Sequence, residues 1–84
     1  MGVITVYTTE PCGFCIQAKA LLRKRGLDYV EINLSKDPAG RSELARRTGM
    51  MTFPQVVVGD RLIGGFVELY AADRNDELTD LLAA

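Results

Sequence analysis

The sequence has no histidine and only two cysteines among its 84 residues. Without histidine the chain cannot form Ser-His or Cys-His catalytic pairs or the usual histidine-containing metal sites. Two cysteines are too few for a disulfide-rich scaffold, and they supply only half of the about four ligands that zinc requires. No uncharged apolar run approaches the roughly 20 residues that span a bilayer, and the first residues lack the basic flank of a signal peptide. We therefore expect a cytoplasmic protein that has no membrane contact.

Neither sign of charge dominates the chain. Its net charge is −1, which gives no reason to expect a nucleic-acid partner. Residues 1–58 carry eight basic and five acidic side chains, whereas residues 59–84 carry two basic and six acidic ones. The basic part suits a small anionic ligand, although a solvated surface is the favoured explanation. Hydrophobic residues make up 48% of the 9.2 kDa chain, which predicts one globular domain over residues 1–84.

Strand-like and helix-like segments alternate along the chain. β-Branched residues predominate in residues 3–8 and 55–58, whereas apolar residues after Cys15 recur at helical spacing. Gly26 and Gly49 are expected to end helices, and Pro38 is expected in a first helical turn. The predicted strands cover residues 3–8, 27–34, 55–58 and 61–63, and the predicted helices cover residues 15–25, 38–48, 66–72 and 75–82. The order β-α-β-α-β-β-α predicts an α/β fold whose four-stranded mixed sheet is flanked by helices.

The segment Cys12-Gly13-Phe14-Cys15 lies just after a predicted strand and opens a predicted helix. The unpaired N–H groups and the dipole of a helix N-terminus stabilise a thiolate, so the pKa of Cys12 should be lowered. A stable thiolate is a good leaving group, which suits thiol–disulfide exchange. We expect Cys12 to face solvent and Cys15 to be more buried. The alternatives are a metal shared with another chain and a pair of inert cysteines.

Several further segments resemble the glutaredoxin family, and the resemblance covers nearly the whole chain. They are Thr48-Gly49, Thr52-Phe53-Pro54, residues 55–58, and Gly64-Gly65 followed by Glu68-Leu69-Tyr70. The resemblance is strongest to the small bacterial dithiol type. It implies a thioredoxin-like fold and a monomer with no metal or bound cofactor. The implied activity is glutathione-dependent reduction of protein disulfides and of glutathionylated proteins, with glutathione as co-substrate.

The resemblance also implies roles for individual residues. Cys12 matches the nucleophile and Cys15 the resolving thiol, and the proline of Thr52-Phe53-Pro54 should be cis, with the preceding residue pairing with glutathione through its backbone. Arg41 matches a position near the glycyl carboxylate, and the helix after Gly65 would hold the γ-glutamyl carboxylate. The implied glutathione-binding residues are Thr9, Phe14, Arg41, Thr52, Phe53, Pro54, Gly65, Phe66 and Val67.

Two positions depart from the family pattern. Thr9 stands where the family usually has a lysine, and Val67 stands where it usually has an aspartate. Both missing charges would face ionic groups of glutathione, and each could contribute about 1 kcal/mol. Glu68, one position further on, could substitute in part.

Two other functions remain open at this stage. One is an electron donor for ribonucleotide reductase that is itself reduced by thioredoxin reductase, which the missing lysine and aspartate would fit. The other is an iron–sulfur cluster carrier, in which two subunits and two glutathione molecules hold the cluster. Cys12-Gly13-Phe14 resembles that type, but Cys15 stands where it has serine.

Overall fold

The computed structural model describes residues 2–83. Four strands form one mixed sheet in the order β2-β1-β3-β4, in which β1 pairs parallel with β2 and antiparallel with β3. Strands β3 and β4 form an antiparallel hairpin. The elements are β1 (Ile4–Thr8), α1 (Gly13–Lys24), β2 (Val30–Asn33), α2 (Pro38–Thr48), β3 (Gln55–Val58), β4 (Arg61–Gly64), α3 (Phe66–Arg74) and α4 (Glu77–Ala83). The predicted mixed sheet flanked by helices is confirmed.

Local chemistry explains where the first two helices begin and end. Cys12 caps α1, and Gly26 follows the helix with φ = 70°, a left-handed conformation that glycine adopts at little cost. Asp37 caps α2 by accepting a 2.9 Å hydrogen bond from the N–H of Gly40, and Gly49 ends that helix with φ = 76°. The predicted helix ends at Gly26 and Gly49 are confirmed.

The core lies between one face of the sheet and the helices α1 and α3. Strands β1 and β3 each contribute alternate residues to it, as the two-residue period of a strand requires. The buried core cluster consists of Ile4, Val6, Ala18, Leu22, Val56, Val58, Leu69 and Leu78. Arg25, just after α1, donates two 2.9 Å hydrogen bonds to Asp73 of α3, and this carboxylate raises the pKa of Arg25. These hydrogen bonds link the end of α1 to α3.

Several predicted boundaries differ from the structure: those of β1, α1 and α4 by one or two residues, and those of β2, β4 and α3 as follows. Strand β2 is shorter than the predicted residues 27–34, because the N–H of Leu27 bonds the carbonyl of Leu22 and completes the end of α1 instead. Strand β4 continues to Gly64 rather than ending at residue 63. Helix α3 extends to Arg74, and a break at Asp76, whose φ is 59°, separates it from α4. Among the helices of residues 2–83, none has the length and hydropathy needed to cross a membrane.

Candidate active site

Cys12 and Cys15 form a disulfide at the start of α1, with their Cα atoms 5.3 Å apart. Cys12 is the N-cap residue, and its Sγ accepts a 3.0 Å hydrogen bond from the backbone N–H of Cys15. No acidic side chain stands in the first turn of α1. After reduction, this N–H group and the helix dipole would stabilise a Cys12 thiolate.

Cys12 and Cys15 differ in their exposure to solvent. Cys15 is only 2% exposed, whereas Cys12 is partly exposed. The predicted asymmetry is confirmed, since a substrate disulfide can approach Cys12 but not Cys15. The arrangement therefore suits a reaction in which Cys12 attacks a substrate disulfide and Cys15 then attacks the Sγ of Cys12.

The segment between α2 and β3 approaches the disulfide from the side. The carbonyl oxygen of Phe53 lies 3.7 Å from the Sγ of Cys12, and the Phe53–Pro54 peptide bond is cis, as predicted. The Glu10–Pro11 bond, just before the cysteine pair, is also cis and was not predicted. Cys12 therefore follows one cis-proline directly in the chain, and its Sγ lies near the carbonyl of the residue before the other.

A groove of about 350 Å³ opens beside this segment, and we call it the cysteine groove. The start of α1, the segment before β3 and the start of α3 each supply part of its wall. Phe14, more than half exposed, stacks on Phe66 across the groove with their ring centroids 6.1 Å apart. The lining residues are Phe14, Met50, Thr52, Phe53, Pro54, Gly65, Phe66, Val67 and Glu68. Seven of the nine predicted glutathione-binding residues are therefore brought together.

Arg41 and Thr9 are not among the residues that line the cysteine groove. The Nη1 of Arg41 donates hydrogen bonds to the carbonyls of Leu34 and Ser35, at 2.6 and 2.8 Å, so its guanidinium is held by the backbone before α2. Arg41 lines a neighbouring groove of about 260 Å³, whose wall also includes Met50 and Phe53. Thr9 lies directly after β1. A ligand that reached Arg41 would have to extend from one groove into the next.

Met50 and Glu68 belong to the wall of the cysteine groove but not to the predicted binding residues. The Oε1 of Glu68 accepts a 2.7 Å hydrogen bond from the N–H of Gly65 and caps α3. A Cβ atom at Gly64, whose φ is 128°, would lie 2.7 Å from the same oxygen, so glycine is required there. From the sequence, Glu68 is expected only as a partial substitute for the aspartate that is missing at position 67. Met50 has no polar group to signal a role, and only its position near Thr52-Phe53-Pro54 could have indicated it.

Within residues 2–83 there is no cluster of three or more cysteine or acidic side chains that could hold a metal ion. The groups nearest the Cys12–Cys15 disulfide are the N–H of Cys15 and the carbonyl of Phe53. Thiol–disulfide exchange is the chemistry that this arrangement can carry out, since the sulfurs of Cys12 and Cys15 are already in bonding contact.

Comparison with known proteins places this site in a family. The glutaredoxin family model matches residues 4–63. A glutaredoxin from Pseudomonas aeruginosa is 42% identical over 84 residues, with all of both chains covered. Glutaredoxin 3 from Escherichia coli K12 is 38% identical over 82 residues, which cover 98% of this chain and 99% of that protein.

Solved structures agree with these sequence relatives. A glutaredoxin from Brucella melitensis is 39% identical and superposes with a TM-score of 0.86, covering 98% of this chain and 89% of the other. The buckwheat glutaredoxin–glutathione complex superposes with a TM-score of 0.88 at 28% identity, covering 98% of this chain and 77% of the other. The fold is therefore thioredoxin-like. With sequence, fold and the Cys12–Cys15 pair in agreement, the chain belongs to the glutaredoxin family of thiol–disulfide oxidoreductases.

Proposed function

We propose that this protein uses glutathione to reduce protein disulfides and glutathionylated proteins. The observation that carries the proposal is the cysteine groove, whose wall includes Phe14, Thr52 and Phe53, and the carbonyl oxygen of Phe53 lies 3.7 Å from the Sγ of Cys12. Its volume lies within the range of about 300–1,000 Å³ that is typical of small-molecule sites. A peptide in this groove would bring its own sulfur close to Cys12. The buckwheat relative was solved as a complex with glutathione, which supports the same ligand here.

The proposed reaction proceeds by two exchanges. The Cys12 thiolate attacks one sulfur of the substrate disulfide, a new S–S bond forms, and the other sulfur leaves as a thiolate that takes up a proton. The thiolate of Cys15 then attacks the Sγ of Cys12 and releases the second product as a thiolate. Alternatively, when Cys12 carries a glutathionyl group, the thiolate of a second glutathione attacks the sulfur of that group, which releases the Cys12 thiolate and oxidised glutathione. When Cys15 resolves, the Cys12–Cys15 disulfide results, and two glutathione molecules reduce it and leave as oxidised glutathione.

The start of α3 could bind one carboxylate of glutathione mainly through backbone groups. At the start of α3, the N–H groups of Phe66 and Val67 lie in the first helical turn, where a helix leaves N–H groups without internal partners. They could hold a carboxylate, as at other helix N-termini. Glu68 already accepts from Gly65, so its carboxylate would stand beside that ligand group. Backbone contacts and few charged ones predict weak binding of glutathione.

The setting proposed for this activity is a monomeric, single-domain protein of the cytoplasm. Its partners would be glutathione, protein disulfides and glutathionylated proteins, with no bound cofactor. The reaction draws on the two cysteines and the cysteine groove, all of which lie within one chain.

A coupled assay tests the proposed electron donor. We expect glutathione with glutathione reductase to support steady reduction of a glutathionylated peptide, and thioredoxin reductase to support little, because the cysteine groove offers a site for a small peptide. The measurement is NADPH oxidation with each donor system at matched protein concentration. Efficient reduction by thioredoxin reductase and none by glutathione would instead assign the protein as a donor of the ribonucleotide reductase type.

The two positions that depart from the family pattern provide a second test. We expect the double variant Thr9→Lys, Val67→Asp to raise kcat/KM for a glutathionylated peptide about tenfold, or about 1.4 kcal/mol, by restoring two charges. Val67 lines the cysteine groove and is exposed, so most of the gain should disappear at high salt.

The matched control for this double variant is Thr9→Gln, Val67→Asn, which supplies polar side chains of similar size without charge. It should leave kcat/KM close to that of the wild type. If the charged variant also leaves kcat/KM unchanged, glutathione does not bind in the cysteine groove.

A further inference from the structure

Gln55 is a fully buried polar side chain directly after Pro54, at the first position of β3. Its Nε2 donates hydrogen bonds to the carbonyl oxygens of Met50, at 3.0 Å, and Thr52, at 3.2 Å. Its Oε1 is buried and has no hydrogen-bond partner among the described residues. A buried acceptor without a partner is unfavourable, so the two bonds made by Nε2 are the contribution of this side chain.

The chemistry of these contacts fixes the orientation of the amide. Two carbonyl oxygens require a donor, and rotating the amide by half a turn would place Oε1 against both of them. The side chain of Gln55 therefore hydrogen-bonds two backbone carbonyls of residues 49–54, here called the groove loop. Thr48 also binds the groove loop. Its Oγ1 accepts a hydrogen bond from the N–H of Met50 at 3.1 Å and donates one to the carbonyl of Leu44 at 3.0 Å.

The groove loop carries the backbone groups nearest the reacting sulfur. The carbonyl of Thr52 points to the buried Gln55, and the next carbonyl, that of Phe53, lies 3.7 Å from the Sγ of Cys12. Met50, Thr52 and Phe53 also line the cysteine groove. Fixing the first carbonyl inward therefore determines how the backbone on either side of it is presented to a ligand.

We infer that Gln55 is a positioning residue, whose amide sets the groove loop in the conformation that aligns a substrate with Cys12. This inference rests on the proposed function, since the substrate is taken to be a glutathionylated peptide. Gln55 does not touch the reacting sulfurs in this arrangement; it acts through the carbonyls of Met50 and Thr52. Misplacement of a bound reactant by about 1 Å can cost up to about a hundredfold in rate.

The variant Gln55→Glu converts this role into a pH-dependent one. A protonated glutamic acid can donate one hydrogen bond to the loop, whereas an ionised carboxylate would face two carbonyl oxygens and repel them. Burial raises the pKa of such a carboxylic acid. We expect kcat/KM of the variant, relative to wild type, to fall about tenfold between about pH 6 and about pH 8. The amide of the wild type does not titrate, so the ratio isolates residue 55.

Two further variants separate positioning from loss of stability. Gln55→Leu cannot donate at any pH and should raise KM for the glutathionylated peptide at every pH. Val58→Ala truncates a buried side chain at the other end of β3, so it should lower stability while leaving both KM and the pH ratio as in the wild type. If Gln55→Leu does not fold, Gln55→Glu at low pH still provides the comparison.

The position of the groove loop can also be measured without any substrate. We expect backbone amide NMR signals of residues 49–53 to shift with pH in Gln55→Glu and to stay constant in Val58→Ala. A pH-independent activity ratio together with unmoved loop signals would overturn the inference. If the wild type itself is inactive with glutathione, the proposed function fails, and the loop signals alone decide the role of Gln55.

Discussion

Replacing Cys12 by serine should abolish thiol–disulfide exchange, with a loss of at least about a thousandfold in rate. A serine hydroxyl cannot form the mixed disulfide, and the remaining thiol of Cys15 is 2% exposed, so a substrate cannot reach it. The measurement is the rate of reduction of both a protein disulfide and a glutathionylated peptide. Residual activity above the uncatalysed rate with either substrate would contradict Cys12 as the nucleophile.

Cys15→Ser is the matched variant, and its effect should depend on the substrate. Reduction of a protein disulfide through an internal Cys12–Cys15 bond should be lost. Reduction of the glutathionylated peptide should largely remain, because a free glutathione molecule can attack the sulfur of the glutathionyl group on Cys12 and release the Cys12 thiolate and oxidised glutathione without Cys15. If Cys15→Ser were as inactive as Cys12→Ser with that peptide, the division of roles between the two cysteines would be wrong.

The largest effect on stability is expected at Leu69, whose side chain is completely buried in the core between α3, α1 and the sheet. Leu69→Ala removes buried methyl groups and leaves a cavity, which should lower the free energy of unfolding by about 2–5 kcal/mol. Denaturation in urea measures this loss. Because the folded state as a whole is worth only about 5–15 kcal/mol, the variant should unfold at markedly lower urea concentration.

Val67→Ala is the control for Leu69→Ala on the same helix. Val67 is 69% exposed, so truncating it should change the free energy of unfolding by no more than about 0.5 kcal/mol. Equal losses in the two variants would show that α3 is not held to the sheet through Leu69. The start of α3 forms one wall of the cysteine groove, so the anchor at Leu69 also supports the site.

The C-terminal ends of α1 and α2 and the start of α2 were predictable because the chemistry that sets them is local. Gly26 and Gly49 adopt left-handed conformations just after α1 and α2, and Asp37-Pro38 begins α2 with a side-chain cap. The extent of β2 was not predictable in the same way. Leu27 continues an apolar alternation that is typical of a strand, but its backbone N–H bonds to Leu22 and its side chain packs on the core. A tertiary contact outweighs the local pattern there.

The candidate site likewise combines features that a short segment of sequence reveals with features that only the fold brings together. The Cys12–Cys15 pair could be recognised because its spacing and its place before a helix are properties of a short segment. The cysteine groove combines three separate segments, and the resemblance to glutaredoxins was needed to bring them together. Arg41 was expected at the ligand, yet its guanidinium is bound to two backbone carbonyls, an outcome that depends on side-chain conformation. Gln55 was read only as a strand residue, since nothing local distinguishes a buried amide from an exposed one.

The central claim is that Cys12 forms a mixed disulfide with glutathione by thiol–disulfide exchange. The most direct measurement is the intact mass and peptide map of the Cys15→Ser protein after treatment with oxidised glutathione. We predict one glutathionyl group per chain, located on Cys12 and removed again by reduced glutathione. A protein that stays unmodified, or that forms an adduct which reduced glutathione does not release, would contradict the proposed function.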